Sequence, residues 1–249
     1  MSTISSRVDR PPSAEAEPRW GLGDVGLGLA VLAAASTALV AAVVVDRRDQ
    51  NANTQLDGWS LATILLINVV VFIGVPLLTA RRKGSGSLAR DYGLSFERRD
   101  LPLGVAGGFV AIVFGAAAAS LVASYLSAEI DTATRYSAVS GIGQRLFLHL
   151  VVGLLVPASE ELFFRGLLLR SLLRRNGPWL SLGASTALFA LLHIAGAGGL
   201  GAFEAAAVAS AAVFGLVFGG LTLGTGGRLG AAIVAHVAVN QAALLLAFA

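Results

Sequence analysis

The chain has 249 residues, of which 55% are hydrophobic and only 13% are charged, and its mean hydropathy is +0.76. A soluble domain carries about a quarter charged residues, so this composition argues against a soluble enzyme or a nucleic-acid binder. In so apolar a chain, the net charge of +3 indicates basic residues at the cytoplasmic ends of membrane helices. The chain has no Cys, which excludes disulfides and thiolate chemistry.

Several apolar runs are long enough to cross a bilayer, which takes ~20 residues in a helix. One further run is also apolar but is interrupted by Pro157 and a pair of glutamates, and we interpret it as a single long helix. The runs are, in chain order, Val25–Val45, Trp59–Ala80, Leu101–Ser127, Gln144–Arg175, Trp179–His193, Phe203–Thr225 and Leu229–Ala249. The sequence therefore predicts an all-α transmembrane helical bundle with seven spans, or eight if the long segment splits.

Charge in the loops predicts the orientation. Residues 1–20 form a polar tail that we expect to be disordered, and residues 21–249 form one transmembrane domain. Basic residues are frequent in the tail, in the second loop and after the long helix, and are sparse in the loops between. This alternation predicts that the N-terminus is cytoplasmic. We therefore expect a multi-pass protein of the cell membrane that is in contact with the lipid bilayer.

Glu160 and Glu161 are the strongest functional signal. Two adjacent carboxylates in an apolar helix repel each other and resist dehydration, and both effects favour proton uptake by one of them, as a general base requires. Arg165 lies four residues after Glu161 on the same helix face and can pair with it. The alternative is an ion pair near the interface whose long side chains reach the lipid headgroups.

Two further pairs have the same four-residue spacing, Phe189 with His193 and His236 with Asn240. Taken singly, each pair is better explained as core packing or as a polar bridge between membrane helices. Together with Glu160, they supply a base, an imidazole and two donors. That set suits hydrolysis of an amide by an activated water.

Other motifs that could indicate a catalytic site are not supported by the sequence around them. Gly21-Leu-Gly-Asp24 matches the G-x-G-D motif of aspartyl membrane proteases, but the second aspartate that those enzymes need is missing from the spans. The chain has no H-E-x-x-H motif. His149 lies eleven residues before Glu160, and we interpret it as structural.

The three motifs in this order, E-E-x-x-x-R, F-x-x-x-H and H-x-x-x-N, resemble the signature of the CAAX protease and bacteriocin-processing family. This family comprises polytopic membrane endopeptidases and includes the type II CAAX prenyl endopeptidases. The resemblance covers residues 144–240, which would be the catalytic core.

The resemblance implies a role for each motif residue. Glu160 would activate the water with help from His193, Glu161 and Arg165 would orient the site, and His236 and Asn240 would stabilise the oxyanion. The family is often classed as metallopeptidases, and Glu160, His193 and His236 would be the ligands if zinc is used. The favoured mechanism needs no cofactor, and zinc is the alternative.

The resemblance predicts an intramembrane endopeptidase whose substrate is a membrane-associated or lipidated peptide or protein. Two rivals remain. One is a non-catalytic scaffold or bacteriocin-immunity protein of the same fold. The other is a proton-coupled transporter, in which the glutamate pair would relay protons, although the chain has no internal repeat of the kind that transporters show. The sequence leaves the substrate and the oligomeric state open.

Overall fold

A computed structural model describes residues 18–49, 58–127, 139, 141–194 and 201–249, and these residues fold into helices. The predicted tail lies almost wholly outside the described residues. We number the helices α1 Leu22–Asp49, α2 Gly58–Lys83, α3 Leu88–Tyr92, α4 Asp100–Tyr125, α5 Ile142–Leu173, α6 Pro178–Leu192, α7 Ala202–Gly224 and α8 Gly230–Ala247.

The all-α transmembrane prediction is confirmed. Six helices in the described part of the chain are long and apolar enough to cross a membrane, namely α1, α2, α4, α5, α7 and α8. The remaining predicted span, Trp179–His193, corresponds to α6, an apolar helix of 15 residues. Helix α5 is continuous, so the long segment does not split into the two spans that an eight-span topology would need. The chain is a multi-pass membrane protein.

Helix α5 changes its hydrogen-bonding register along its length. It is π-helical at Val151–Leu155, α-helical at Val156–Glu161 and π-helical again at Leu162–Leu169. Pro157 begins the middle segment together with Val156, and proline has no N–H to donate to the preceding turn. π-Helical turns inside membrane helices mark places where backbone bonds are rearranged, often at functional sites. Glu160 and Glu161 lie between the two π-helical segments.

Helix α4 packs closely along both α7 and α8. Small residues allow this approach: a Cβ atom at Gly104 would lie 2.5 Å from Cβ of Val234, and one at Gly115 would lie 2.3 Å from the ring of Phe214. Backbones of membrane helices come this close only where glycine or another small residue lies at the contact. The packing fixes α7 and α8 beside each other and against α5.

Many of the basic residues lie at one end of the bundle. The backbone N–H of Arg19 bonds the carbonyl of Lys83, Arg174 bonds the carbonyl of Pro18, and Arg228 pairs with Asp100 at 3.0 Å. The hydrogen bond to Asp100 raises the pKa of the Arg228 guanidinium above its ordinary value. Arg170 near the end of α5 also donates to the carbonyl of Gly227 in the α7–α8 turn at 2.7 Å. The start of α1, the end of α2, the start of α4, the end of α5 and the α7–α8 turn therefore meet at this end, which we call the basic end.

Candidate active site

Glu161 is the most enclosed charged group of the site, and its side chain is fully buried. Its Oε1 accepts a hydrogen bond from Nη1 of Arg165 at 3.0 Å, as the spacing in α5 predicted. The same oxygen lies 2.8 Å from Nδ1 of His236 on α8. One oxygen of Glu161 therefore contacts both Arg165 on its own helix and His236 on α8. Its second oxygen, Oε2, is buried without a hydrogen-bond partner among the described residues.

Glu160 lies on the other side of the same imidazole. Its Oε2 is 3.7 Å from Nε2 of His236, and its side chain is 13% exposed, whereas that of Glu161 is completely enclosed. His236 thus stands between two carboxylates, with Nδ1 towards Glu161 and Nε2 towards Glu160. With Nδ1 at hydrogen-bond distance from Glu161, Nε2 is the ring nitrogen that faces Glu160.

Three phenylalanine rings surround the guanidinium of Arg165. The guanidinium carbon lies 4.5 Å from the ring centroid of Phe189, 5.6 Å from that of Phe218 and 6.0 Å from that of Phe164. Nη2 of Arg165 also donates to the carbonyl of Gly215 at 3.3 Å. Aromatic faces and a carbonyl replace part of the hydration that this buried cation loses. Arg165 is thereby held in one position, and Glu161 with it.

Phe218 and Phe189 also contact the imidazole of His236. The Phe218 ring stacks on it at a centroid distance of 4.6 Å, and the Phe189 ring meets it edge-on at 5.9 Å. The ring therefore has aromatic neighbours on its face and edge and a carboxylate on each side. This enclosure fixes the direction of both ring nitrogens.

His193 closes α6 and joins the site through Phe189. The two rings lie 4.8 Å apart, as their spacing in the sequence predicted, and Nδ1 of His193 lies 2.9 Å from the Phe189 carbonyl. With Nδ1 donating to that carbonyl, Nε2 is left as an acceptor. The imidazole is exposed, which suits a group that handles water.

Asn240 bonds the π-helical part of α5. Its Nδ2 donates to the carbonyl of Val152 at 2.8 Å. In the π register the N–H of Val156 bonds the carbonyl of Val151, so the next donor for Val152 would be residue 157. That residue is Pro157, which has no N–H. Asn240 therefore satisfies a carbonyl that the register change and the proline deprive of a backbone partner.

The zinc alternative requires Glu160, His193 and His236 to converge on one point. Within the described ranges, no group of three or more His, Cys, Asp or Glu side chains is arranged to hold a metal ion. As arranged in this structure, the three residues do not fit a zinc site.

Residues 142–242 match the family model described as type II CAAX prenyl endopeptidase Rce1-like. The resemblance is confirmed. The Rce1-like segment runs from the start of α5 into α8 and contains all six predicted site residues. No curated protein and no solved structure shows a significant match to the chain.

The structure brings four of the six predicted residues of the Rce1-like segment into one contact group: Glu160, Glu161, Arg165 and His236. His193 reaches this group through Phe189, and Asn240 lies one turn further along α8. Sequence reasoning missed Phe218, because a phenylalanine in an apolar helix gives no sign of its neighbours. It also missed Val152, whose carbonyl matters only because of the π register.

Proposed function

We propose that this protein is an intramembrane endopeptidase that hydrolyses a peptide bond of a membrane-associated or lipidated substrate with a water activated by Glu160. The observation that carries the proposal is the difference between the surroundings of the two glutamates. Glu161 is buried and bonded by Arg165 and His236, whereas Glu160 is partly exposed and lies 3.7 Å from Nε2 of His236. The first is suited to hold the site together, and the second to take up a proton.

The reaction follows from these positions. Glu160 removes a proton from water as the oxygen adds to the peptide carbonyl carbon, which gives a tetrahedral oxyanion. The C–N bond then breaks, and the proton held by Glu160 passes to the leaving amine. Proton transfer by a placed side chain contributes typically ~10²–10⁴-fold to a rate.

The remaining groups are proposed to serve this chemistry. His193 holds the water opposite Glu160 through its free Nε2, and Asn240 donates to the oxyanion. The amide nitrogen of Asn240 carries two hydrogens, and the bond to Val152 uses one. An oxyanion donor is worth about 2.7–4 kcal/mol in other hydrolases.

The depth of the site supports a substrate that lies within or against the bilayer. Glu161 precedes Arg174 by thirteen residues, which corresponds to about 20 Å along a helix axis. A peptide must therefore reach well below the basic end. We propose that this end faces the cytoplasm of a cell-membrane protein and that substrate and water enter from it.

The test is digestion of a peptide library by the purified, detergent-solubilised protein, with products identified by mass spectrometry. We expect cleavage by the wild type and none by Glu160→Gln. Glu204→Gln is the matched control, since Glu204 is a carboxylate at the start of a membrane helix, where it bonds the N–H of Gly201. That variant should cleave as the wild type does.

Further arms separate the alternatives. Asn240→Ala should abolish proteolysis, but it would leave a scaffold, an immunity protein or a proton relay largely intact. Loss of activity with a chelator and its return with Zn²⁺ would support the zinc mechanism. A folded wild type that cleaves nothing, or cleavage that survives Glu160→Gln, would contradict the proposal and favour the scaffold or immunity function.

A further inference from the structure

Gln241 makes a paired contact with one residue of α5. Its Oε1 lies 2.6 Å from Nδ1 of His149, and its Nε2 donates to the backbone carbonyl of His149 at 3.1 Å. A single orientation of the amide satisfies both bonds, with the imidazole N–H as donor to the amide oxygen. His149 itself packs edge-on against the ring of Phe248 at 5.9 Å. The contact joins the end of α8 to the turn just before the π-helical segment.

Asn240 and Gln241 are adjacent, and both bond the same stretch of α5. Asn240 donates to the carbonyl of Val152. Gln241 donates to the carbonyl of His149 and contacts Nδ1 of its ring. Adjacent residues of a helix point about 100° apart, so two such bonds fix the rotation of α8 about its axis more tightly than one bond can. His236, one turn earlier on α8, is subject to the same rotation.

The backbone of α5 leaves room for Gln241 at one point. A Cβ atom at Gly153 would lie 2.3 Å from Nε2 of Gln241 and 2.7 Å from its Cδ. Any side chain at position 153 would therefore displace the Gln241 amide. This glycine gives an independent way to disturb the contact without removing either polar group.

We propose that Gln241 is a positioning residue, which acts through His149 to set the rotation of α8 and so to hold Asn240 and His236 in register with the two glutamates of α5. This inference rests on the proposed peptidase function. His149 is then also a positioning residue, because it is the partner through which Gln241 acts. Neither residue touches the reacting atoms in this scheme.

The experiment measures kcat, KM and Tm with the library peptide that the wild type cleaves fastest. Gln241→Leu should lower kcat by about 10-fold to 100-fold while KM stays within about twofold, because small displacements of catalytic groups act on the rate of the chemical step. Gly153→Ala should likewise lower kcat and leave KM nearly unchanged. Ser210→Ala is the matched control, because Ser210 also forms a polar bond between helices, to the carbonyl of Gly115 at 3.1 Å, and its loss should leave kcat unchanged.

A double-mutant cycle tests the route through His149. If Gln241 acts through His149, His149→Leu combined with Gln241→Leu should be no slower than the slower single variant. Independent effects that multiply would overturn the inference. An unchanged kcat in Gln241→Leu would also overturn it. The same holds if Ser210→Ala lowers kcat as much as Gln241→Leu does when the two variants lose the same amount of Tm.

The outcome for the wild type separates this inference from the proposed function. A wild type without Glu160-dependent cleavage ends both. A wild type that cleaves normally, beside a Gln241→Leu variant that does the same, ends only the positioning role.

Discussion

Oε1 of Glu161 lies 2.8 Å from Nδ1 of His236 and 3.0 Å from Nη1 of Arg165, so one buried oxygen joins α8 to two turns of α5. This contact sets the imidazole with its other nitrogen towards Glu160. It also separates the two glutamates by environment, although they are neighbours in the chain.

Replacement of His236 should separate its structural contact from its chemical one. An asparagine amide reaches about as far as Nδ1, so His236→Asn should keep the bond to Glu161 but lose the group that faces Glu160. We expect Tm close to that of the wild type and a fall in cleavage rate of about 10²-fold or more. His236→Leu should lose both the rate and several degrees of Tm, because Glu161 then keeps only Arg165. Equal Tm losses in the two variants would contradict this division of roles.

The Glu161–Arg165 pair should be costly to break from one side. Arg165 is 1% exposed and Glu161 is fully buried, so Arg165→Met leaves a buried carboxylate without its charged partner. Breaking a buried pair in this way costs about 3–5 kcal/mol in soluble proteins. The double variant Glu161→Gln with Arg165→Met should recover part of the lost stability in thermal unfolding in detergent, but no activity. A double variant less stable than Arg165→Met alone would contradict a dominant role for the buried charge.

Pro157→Ala should lower activity without lowering stability. The new N–H can donate to the carbonyl that Asn240 now satisfies, and proline is unfavourable inside a helix. We expect an unchanged or higher Tm and a lower kcat, since Asn240 loses its fixed partner. Ala158→Gly, one residue on, controls for simple loosening of the helix, because it should lower Tm while the Asn240 bond remains. A variant with normal kcat would show that the proline is not needed at this position.

The orientation can be read with single cysteines, because the chain has none of its own. Ser85 is exposed at the basic end, after α2, and Ser127 is exposed after α4, at the opposite end. With a membrane-impermeant maleimide on intact cells, we expect Ser127→Cys to be labelled at once and Ser85→Cys only after permeabilisation. The reverse pattern would place the N-terminus outside.

Part of the site follows from the sequence because helical spacing is a local property. Residues four apart lie on one face, so the sequence predicted the contact of Glu161 with Arg165 and that of Phe189 with His193, and both are present. Apolar run lengths predicted the helices in the same way. Their ends agree with the structure to within four residues, and the largest difference is at the first helix, which extends from Leu22 to Asp49.

The tertiary structure decided which groups meet across helices. The sequence places His236 and Asn240 on one face of α8, but it does not show that His236 faces Glu161 while Asn240 faces Val152. Those contacts depend on how α8 is rotated against α5, and α8 also packs closely along α4. Local spacing determines which side chains share a face of a helix, and only the packing of several helices determines what that face meets.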